Sequence, residues 1–264
     1  MIGIDTALIK EMIMHDKRLD YRRLDQYRDI KIETDVITSA EGSAKVRLGD
    51  TVVVAGVKMD VGEPFSDTPD EGVLIVNAEF VPLASPEFES GPPSEDAVEL
   101  ARVVDRAIRE SKSIDFAQLA FMPGEKVWMI YVDIDILDDD GNLIDAAGIA
   151  AMAALLNTKI PKLKEDQKVD YGVWSKNKLP INGVAVSTTF AKINNRIVID
   201  PSYPEWQALD ARLTIGTVEK DGKTFLSSMQ KGAAGGFSID EAEYIVEKAI
   251  EKGDELREKL RAIY

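Results

Sequence analysis

From Lys126 to Leu137 the chain alternates with a period of two. Trp128, Ile130, Val132, Ile134 and Ile136 fall on one side, and Met129, Tyr131, Asp133 and Asp135 on the other. A strand of this length with one apolar face belongs in a sheet that covers a core. Asp138-Asp-Asp-Gly-Asn142 makes the turn out of it. Ile144 to Asn157 then reads as an Ala-rich helix whose short side chains let it pack closely. This succession commits the middle of the chain to a layer of helix on sheet.

The flanking segments extend that layer. Asp5 or Thr6 caps a short helix to about Met14, with Ile4, Leu8, Ile9, Met12 and Ile13 apolar. The charged stretch Asp16 to Asp25, carrying Arg18, Arg22 and Arg23, reads by itself as a solvated loop. Ile30 to Ile37 is a half-buried strand. Two β-rich runs between Gly42 and Val57 flank Gly49-Asp50, a tight hairpin signal. A Pro- and acid-rich loop separates them from a strand over Val73–Leu83. The first half thus reads as a twisted antiparallel sheet followed by helix, strand, helix.

Thr158 to Pro180 is a basic, polar connection and carries the boundary. Beyond it, strands Val184–Lys192 and Arg196–Ile199 meet at Asn194-Asn195, and strands Ala211–Lys220 and Lys223–Met229 at Asp221-Gly222. Ser238-Ile-Asp-Glu241 is a capping box that opens a long C-terminal helix. The expected organisation is an α+β chain with a weak internal duplication. It comprises an N-terminal helix and charged extension (1–28), a first domain (29–160), a linker (161–182) and a second domain (183–264).

One helix stands out chemically. Glu99-Leu-Ala-Arg-Val-Val-Asp-Arg-Ala-Ile-Arg109, entered through Ser94 as N-cap, has Leu100, Val103, Val104, Ala107 and Ile108 as its docking stripe. Arg102, Arg106 and Arg109 share another face. Guanidiniums fixed in a row offer planar donors to phosphate. Taken alone, the helix fits equally an ordinary solvated face with Glu99–Arg102, Asp105–Arg109 and Arg106–Glu110 ion pairs, and that is the more economical reading.

Composition removes several chemistries. The chain has no cysteine, so disulfides, thiolate nucleophiles and cysteine-ligated zinc are excluded. His15 is its single histidine, which leaves no His pair for a metal. A formal net charge of −15 argues against a nucleic-acid coat protein, though a focused basic patch remains compatible with it. The longest small-apolar run, Ala146 to Leu156, is too short for a bilayer, and Asp5, Lys10 and Glu11 interrupt any signal-peptide core. The expectation is a soluble, cytoplasmic protein.

The acidic candidates are weak. An EF-hand ending at Asp140-Gly141 requires ligands at Ile136 and Ala147, so that motif fails. Gly232-Ala-Ala-Gly-Gly236 is neither a Walker loop nor a dinucleotide fingerprint. Asp200, Glu205 and Asp210 have a spacing compatible with magnesium, but the prolines and tryptophan among them look structural.

Taken together, Gly42-Ser43, Gly49-Asp50-Thr51, the Glu99–Arg109 helix, the strand ending at Leu137, the small-residue helix and Ile199-Asp200 resemble the RNase PH superfamily of phosphorolytic 3′→5′ exoribonucleases. The resemblance runs from Arg18 to the C-terminal helix. It implies tandem RNase PH-type sheet-and-helix halves: a core like ribosomal protein S5 domain 2 plus a smaller C-terminal α/β domain. The acidic composition, the N-terminal helix and the Asp138–Asp145 segment look like the non-catalytic RNase PH-type subunit of the archaeal exosome. Active members carry a Gly-Ser/Thr-Arg segment that holds phosphate, and two aspartates six and twelve residues beyond the position of Asp200. Here those places are Gly141-Asn142-Leu143, Trp206 and Arg212.

The resemblance therefore implies a subunit without a catalytic residue, metal or cofactor of its own. Its implied partners are an active RNase PH-like subunit, three such pairs closing a six-membered ring, with S1/KH or zinc-ribbon cap proteins and single-stranded RNA. It also reassigns the arginine helix to the RNA path: Arg106 and Arg109 first, then Arg102, with Arg18, Arg22 and Arg23 behind them. Two other expectations remain open, an active RNase rearranged around Asp200, Glu205 and Asp210, and an S5-like binding module unrelated to RNA decay.

Overall fold

The computed structural model describes residues 5–263; Ile4, assigned above to the first helix, lies outside them. Helix α1 (Thr6–Met14) starts at Asp5, whose carboxylate accepts from the Ala7 and Leu8 amides. Strands β1 (Ile30–Thr34), β2 (Gly42–Leu48), β3 (Thr51–Gly62), β4 (Val73–Phe80) and β5 (Val127–Asp138) form one sheet in the order β1-β2-β3-β5-β4. The alternating strand is β5, and Trp128, Ile130, Val132, Ile134 and Ile136 are all buried.

The expected all-antiparallel sheet is corrected at one edge, because β4 runs parallel to β5. The connection between them contains helix α2 (Glu95–Glu110), long enough for the crossover that a parallel pair requires. Ser94 caps α2 through the Ala97 amide, and the apolar stripe from Leu100 to Ile108 is buried as expected.

Helix α3 (Leu143–Leu156) is buried around nearly its whole circumference. It lies between the first sheet and the second, touching β2 and β3 on one side and strand β8 (Val184–Ile193) on the other. That position explains its composition. A helix covered on two sides has no polar face to keep, and alanine lets both sheets approach. At Gly42 the approach is tightest, since an added Cβ would lie 2.4 Å from the Ala154 carbonyl oxygen and from Thr158 Oγ1. Gly42→Ala is therefore expected to lose about 2 kcal/mol of stability by overpacking. Urea unfolding measures this, and a loss under about 0.5 kcal/mol would mean that the last turn of α3 yields.

The stretch read as a connection is structured. Strands β6 (Lys159–Leu163) and β7 (Val169–Lys178) pair as an antiparallel ribbon, so the stretch expected as a linker, 161–182, carries a hairpin. After it, β8, β9 (Arg196–Ile199), β10 (Ala211–Lys220) and β11 (Lys223–Gly232) form a second sheet in the order β11-β10-β8-β9. Its two hairpin turns use Asn194-Asn195 and Asp221-Gly222, each with positive φ at both positions, the conformation that asparagine, aspartate and glycine tolerate. Helix α4 (Tyr203–Ala208) is a short element that period-based reading passed over, and Ser202 and Glu205 close a capping box on it. Helix α5 (Ile239–Arg261) opens on the expected Ser238–Glu241 box. No helix among the described residues is long and apolar enough to cross a membrane.

Candidate functional site

The three arginines of α2 do not act as one cluster. Arg102 is exposed and makes no ion pair among the described residues. Arg106 turns inward and donates to the side-chain oxygen of Gln230 on β11. Arg109 donates to Asp105 at 2.6 and 3.0 Å and to the Leu74 carbonyl at 2.8 Å. The hydrogen bonds to Asp105 outweigh partial burial and raise its pKa further above neutrality. Of the three expected intrahelical pairs, Asp105–Arg109 is among the ion pairs of the described residues and the other two are not. Glu99 faces β10 and β11 instead, accepting from Arg212 and, at 3.3 Å, from Gln230.

That last contact closes a second feature. Trp206 and Arg212 line one cavity of about 140 Å³ together with the sequence-distant Gly141-Asn142-Leu143 segment and Glu99. Arg212 is 6% exposed; its guanidinium lies 5.3 Å from the Trp206 ring centre and holds the Glu99 carboxylate. Gly232 makes room for it, since an added Cβ there would lie 2.5 Å from a guanidinium nitrogen. Asp139, on the rim, spends one carboxylate oxygen on the Gly141 amide at 2.9 Å.

Behind this cavity lies a buried ionic centre. Asp200, fully buried, accepts through one oxygen from Arg28 and Asn142, both at 2.8 Å. Its other oxygen accepts from the Arg28 amide, Arg28 Nε and Arg22 at 2.8–3.0 Å. Burial opposes the charge, but the Arg28 and Arg22 guanidiniums prevail and hold Asp200 below the ordinary carboxylate range. Asn142 also donates to Asp145 at 2.9 Å, where Tyr27 and both Thr189 donors converge at 2.7–3.0 Å. Arg18 is 1% exposed and holds Glu205 with two nitrogens.

The expected solvated loop over Asp16–Asp25 is thus corrected. Arg18 is buried, and Arg22 is 9% exposed at its side chain and tied to Asp20 and Asp200; Arg23 alone of the three is open, at 77%. The rearranged carboxylate site also dissolves. Asp200 and Glu205 belong to separate buried arginine pairs, while Asp210 binds Lys10 at 2.6 Å near the surface. The signals for Arg28 and Asp145 are invisible in sequence, because neither stands out until β8, α3 and the N-terminal segment meet.

Burial pushes Asp145 up to about 6, against hydrogen bonds from Asn142, Tyr27 and Thr189 that favour its charge. The folded state therefore holds this proton more tightly than the unfolded chain. Stability from Asp145 is reduced above about pH 6 and recovers as the pH falls toward its ordinary 3.8. Asp200 acts in the opposite sense and lower, its stabilisation being lost only as pH falls through its depressed folded value. Relative to Asp145→Asn, the parent chain should gain about 1 kcal/mol in urea unfolding between about pH 7 and about pH 5. A constant difference would show that Asp145 titrates normally.

Comparison with known proteins decides the family. Residues 26–161 match the first domain of the 3′ exoribonuclease (RNase PH) family, and residues 183–252 match its second domain. The chain belongs to the RNase PH family. Curated relatives named exosome complex component Rrp42 are 50% identical over 98% of this chain and 95% of the relative in Thermococcus kodakarensis, and 47% identical over 100% and 98% in Archaeoglobus fulgidus. The solved A. fulgidus exosome with RNA bound to the active site contains a chain with TM-score 0.88 and 46% identity, covering 96% of both chains. A chain of an archaeal exosome core aligns at TM-score 0.85 and 42% identity, covering 97% and 96%. Within an RNase PH fold, then, Gly141-Asn142-Leu143, Trp206 and Arg212 are gathered in one cavity, where the indole faces a guanidinium that the Glu99 carboxylate neutralises.

Proposed function

We propose that this chain is the non-catalytic RNase PH-type subunit of an exosome. It pairs with an active RNase PH-like subunit, three pairs closing a hexameric ring capped by S1/KH or zinc-ribbon proteins, and it positions single-stranded RNA for 3′→5′ phosphorolysis in the cytoplasm. The observation that carries this reading is the Trp206–Arg212–Glu99 cavity. Phosphoryl chemistry needs carboxylates free to hold a metal or move a proton and a cation free to hold phosphate. Here the one cation among the described lining residues, Arg212, is held by Glu99 against the Trp206 ring, and the lining acids Glu87, Asp96 and Asp139 belong to no group among those residues that could hold a metal ion. An edge strand that exposes Phe225, Leu226 and Met229 on β11 supplies a surface for another subunit.

On this reading, α2 lends its arginines to the RNA backbone, fixing register without reading sequence. Arg102 is free to do so directly, and Arg109 and Arg106 present the remaining donors of guanidiniums anchored by Asp105 and Gln230. Arg23 is open, and Arg22 offers RNA little beyond its bonds to Asp20 and Asp200.

RNA degradation in phosphate and magnesium tests the proposal. The arms are this chain alone, the active partner alone, the co-purified pair, and the pair carrying Arg106→Glu/Arg109→Glu. The expected result is no activity in this chain alone, full activity in the pair, and a loss of roughly tenfold or more in the double reversal. Phosphate-dependent activity of this chain by itself would overturn it.

A further inference from the structure

Residues 159–178 carry six lysines against three acids, in a chain of formal net charge −15. In the fold they are the β6–β7 ribbon. Its acids sit toward the tip, where two of the three are matched, Lys168 lying 3.2 Å from Asp166 and Lys164 3.7 Å from Asp170. The other end is not balanced. Lys176 and Lys178 are exposed and make no ion pair among the described residues. Lys159, opposite Lys178 in the ladder, has only an exposed 3.7 Å contact with Asp35. Neighbouring unpaired ammonium groups repel one another and gain from any polyanion that neutralises them together.

Trp174, two residues before Lys176, is 37% exposed, so an indole edge stands beside these charges. Lys159 and Lys178 also line a cleft of about 520 Å³ between the end of α3 and the start of β8, together with Asn157, Asn182 and the ion-paired Glu219 and Arg261. The foot of the ribbon is fixed to the chain just after α2, through Asp115 N to Pro180 O at 2.9 Å and Asn182 N to Ser113 O at 2.7 Å. The cationic end is therefore held rigidly near the C-terminal end of the arginine helix.

We propose that this end of the ribbon is a second contact for single-stranded RNA. Lys159, Lys176 and Lys178 take backbone phosphates, and Trp174 stacks on a base. Lysines alone would suit any polyanion; the exposed indole among them favours a ligand with flat π-faces over an acidic peptide. Identifying the polyanion as RNA rests on the function proposed above.

The test is fluorescence anisotropy of the full chain with a labelled single-stranded oligoadenylate over a range of salt. The variants are Lys176→Glu/Lys178→Glu, Lys176→Gln/Lys178→Gln, Trp174→Ala and, for comparison, Arg106→Glu/Arg109→Glu, each checked for an unchanged unfolding temperature. The glutamate pair should weaken binding roughly tenfold or more, and the glutamine pair should flatten the log–log salt slope by about 1.4. Trp174→Ala should weaken binding about fivefold or more without changing that slope. Unaltered affinity in both lysine pairs overturns the site; if the helix reversal still weakens binding, the subunit's RNA role stands without it. No effect of Trp174→Ala, displacement of RNA by polyglutamate of matched charge as readily as by unlabelled RNA, or no binding by the parent chain at low salt overturns it as well.

Discussion

Asp200→Ala should lower the unfolding free energy by roughly 3–5 kcal/mol, enough to leave the isolated chain largely unfolded at moderate temperature. The carboxylate is fully buried and accepts five hydrogen bonds, from Arg22, Arg28 and Asn142. Removing it leaves the buried Arg28 guanidinium short of its counter-charge, with only Asp140 on its rim, and the desolvation cost already incurred for that cation is no longer offset. The backbone adds a smaller term, because Asp200 has φ +50°, which alanine tolerates poorly. Asp200→Asn separates the two effects: asparagine keeps the shape and accepts positive φ but discards the charge. Urea unfolding of both variants measures this. If alanine costs less than about 1 kcal/mol, the centre must be wet enough for water to replace the carboxylate.

The second large effect is expected at Arg18. Its guanidinium donates to both Glu205 oxygens and to the carbonyls of Ile199 and Asp200, with longer contacts to Arg23 and Gln26. Arg18→Met should cost roughly 3–5 kcal/mol, chiefly because Glu205 is then a buried, uncompensated charge. Replacing both partners, Arg18→Met with Glu205→Leu, should recover much of that loss, since an apolar pair avoids desolvating two ions. A double-mutant cycle reads the coupling directly. Additive losses would show that Glu205 is held by its cap bond to the Ser202 amide rather than by Arg18. Hydrogen exchange supplies a second readout: in Arg18→Met the amides of α1 and of the segment to Arg28 should lose protection before those of β5, because Arg18 ties that segment to the second half of the chain.

Both effects concern the same piece of architecture, and it touches function. Asn142 sits at the start of α3 with φ +52°, bridging Asp145 and Asp200, while Gly141 beside it packs against the Ser202–Tyr203 backbone with a Cβ clearance of only 2.6 Å. The ionic centre thus fixes the loop that forms one wall of the Trp206–Arg212 cavity. On the proposed reading, one wall of the cavity that carries it is thereby fixed from behind.

Much of the architecture is decided locally. The period of β5, the Ser94 cap, the Asn-Asn and Asp-Gly turns and the Ser238–Glu241 box each act through neighbours in sequence, so reading them in order yields the α+β layers and most of the strands. The segment Gly141-Asn142-Leu143, Trp206 and Arg212, where the resemblance implies a departure from active members, are likewise visible as residue identities. What sequence leaves undecided are the relations between distant segments. The parallel pairing of β4 with β5, the ribbon at 159–178 and the burial of Arg18 and Arg22 depend on which surfaces meet. An arginine in a charged stretch looks solvated because its own neighbours are polar; it is buried here because Asp200 and Glu205, more than 170 residues away, meet it beneath β9 and α4. Local patterns carry the free energy of caps, turns and amphipathic faces. Charge pairing across the fold is set by desolvation, which only the packed tertiary structure determines.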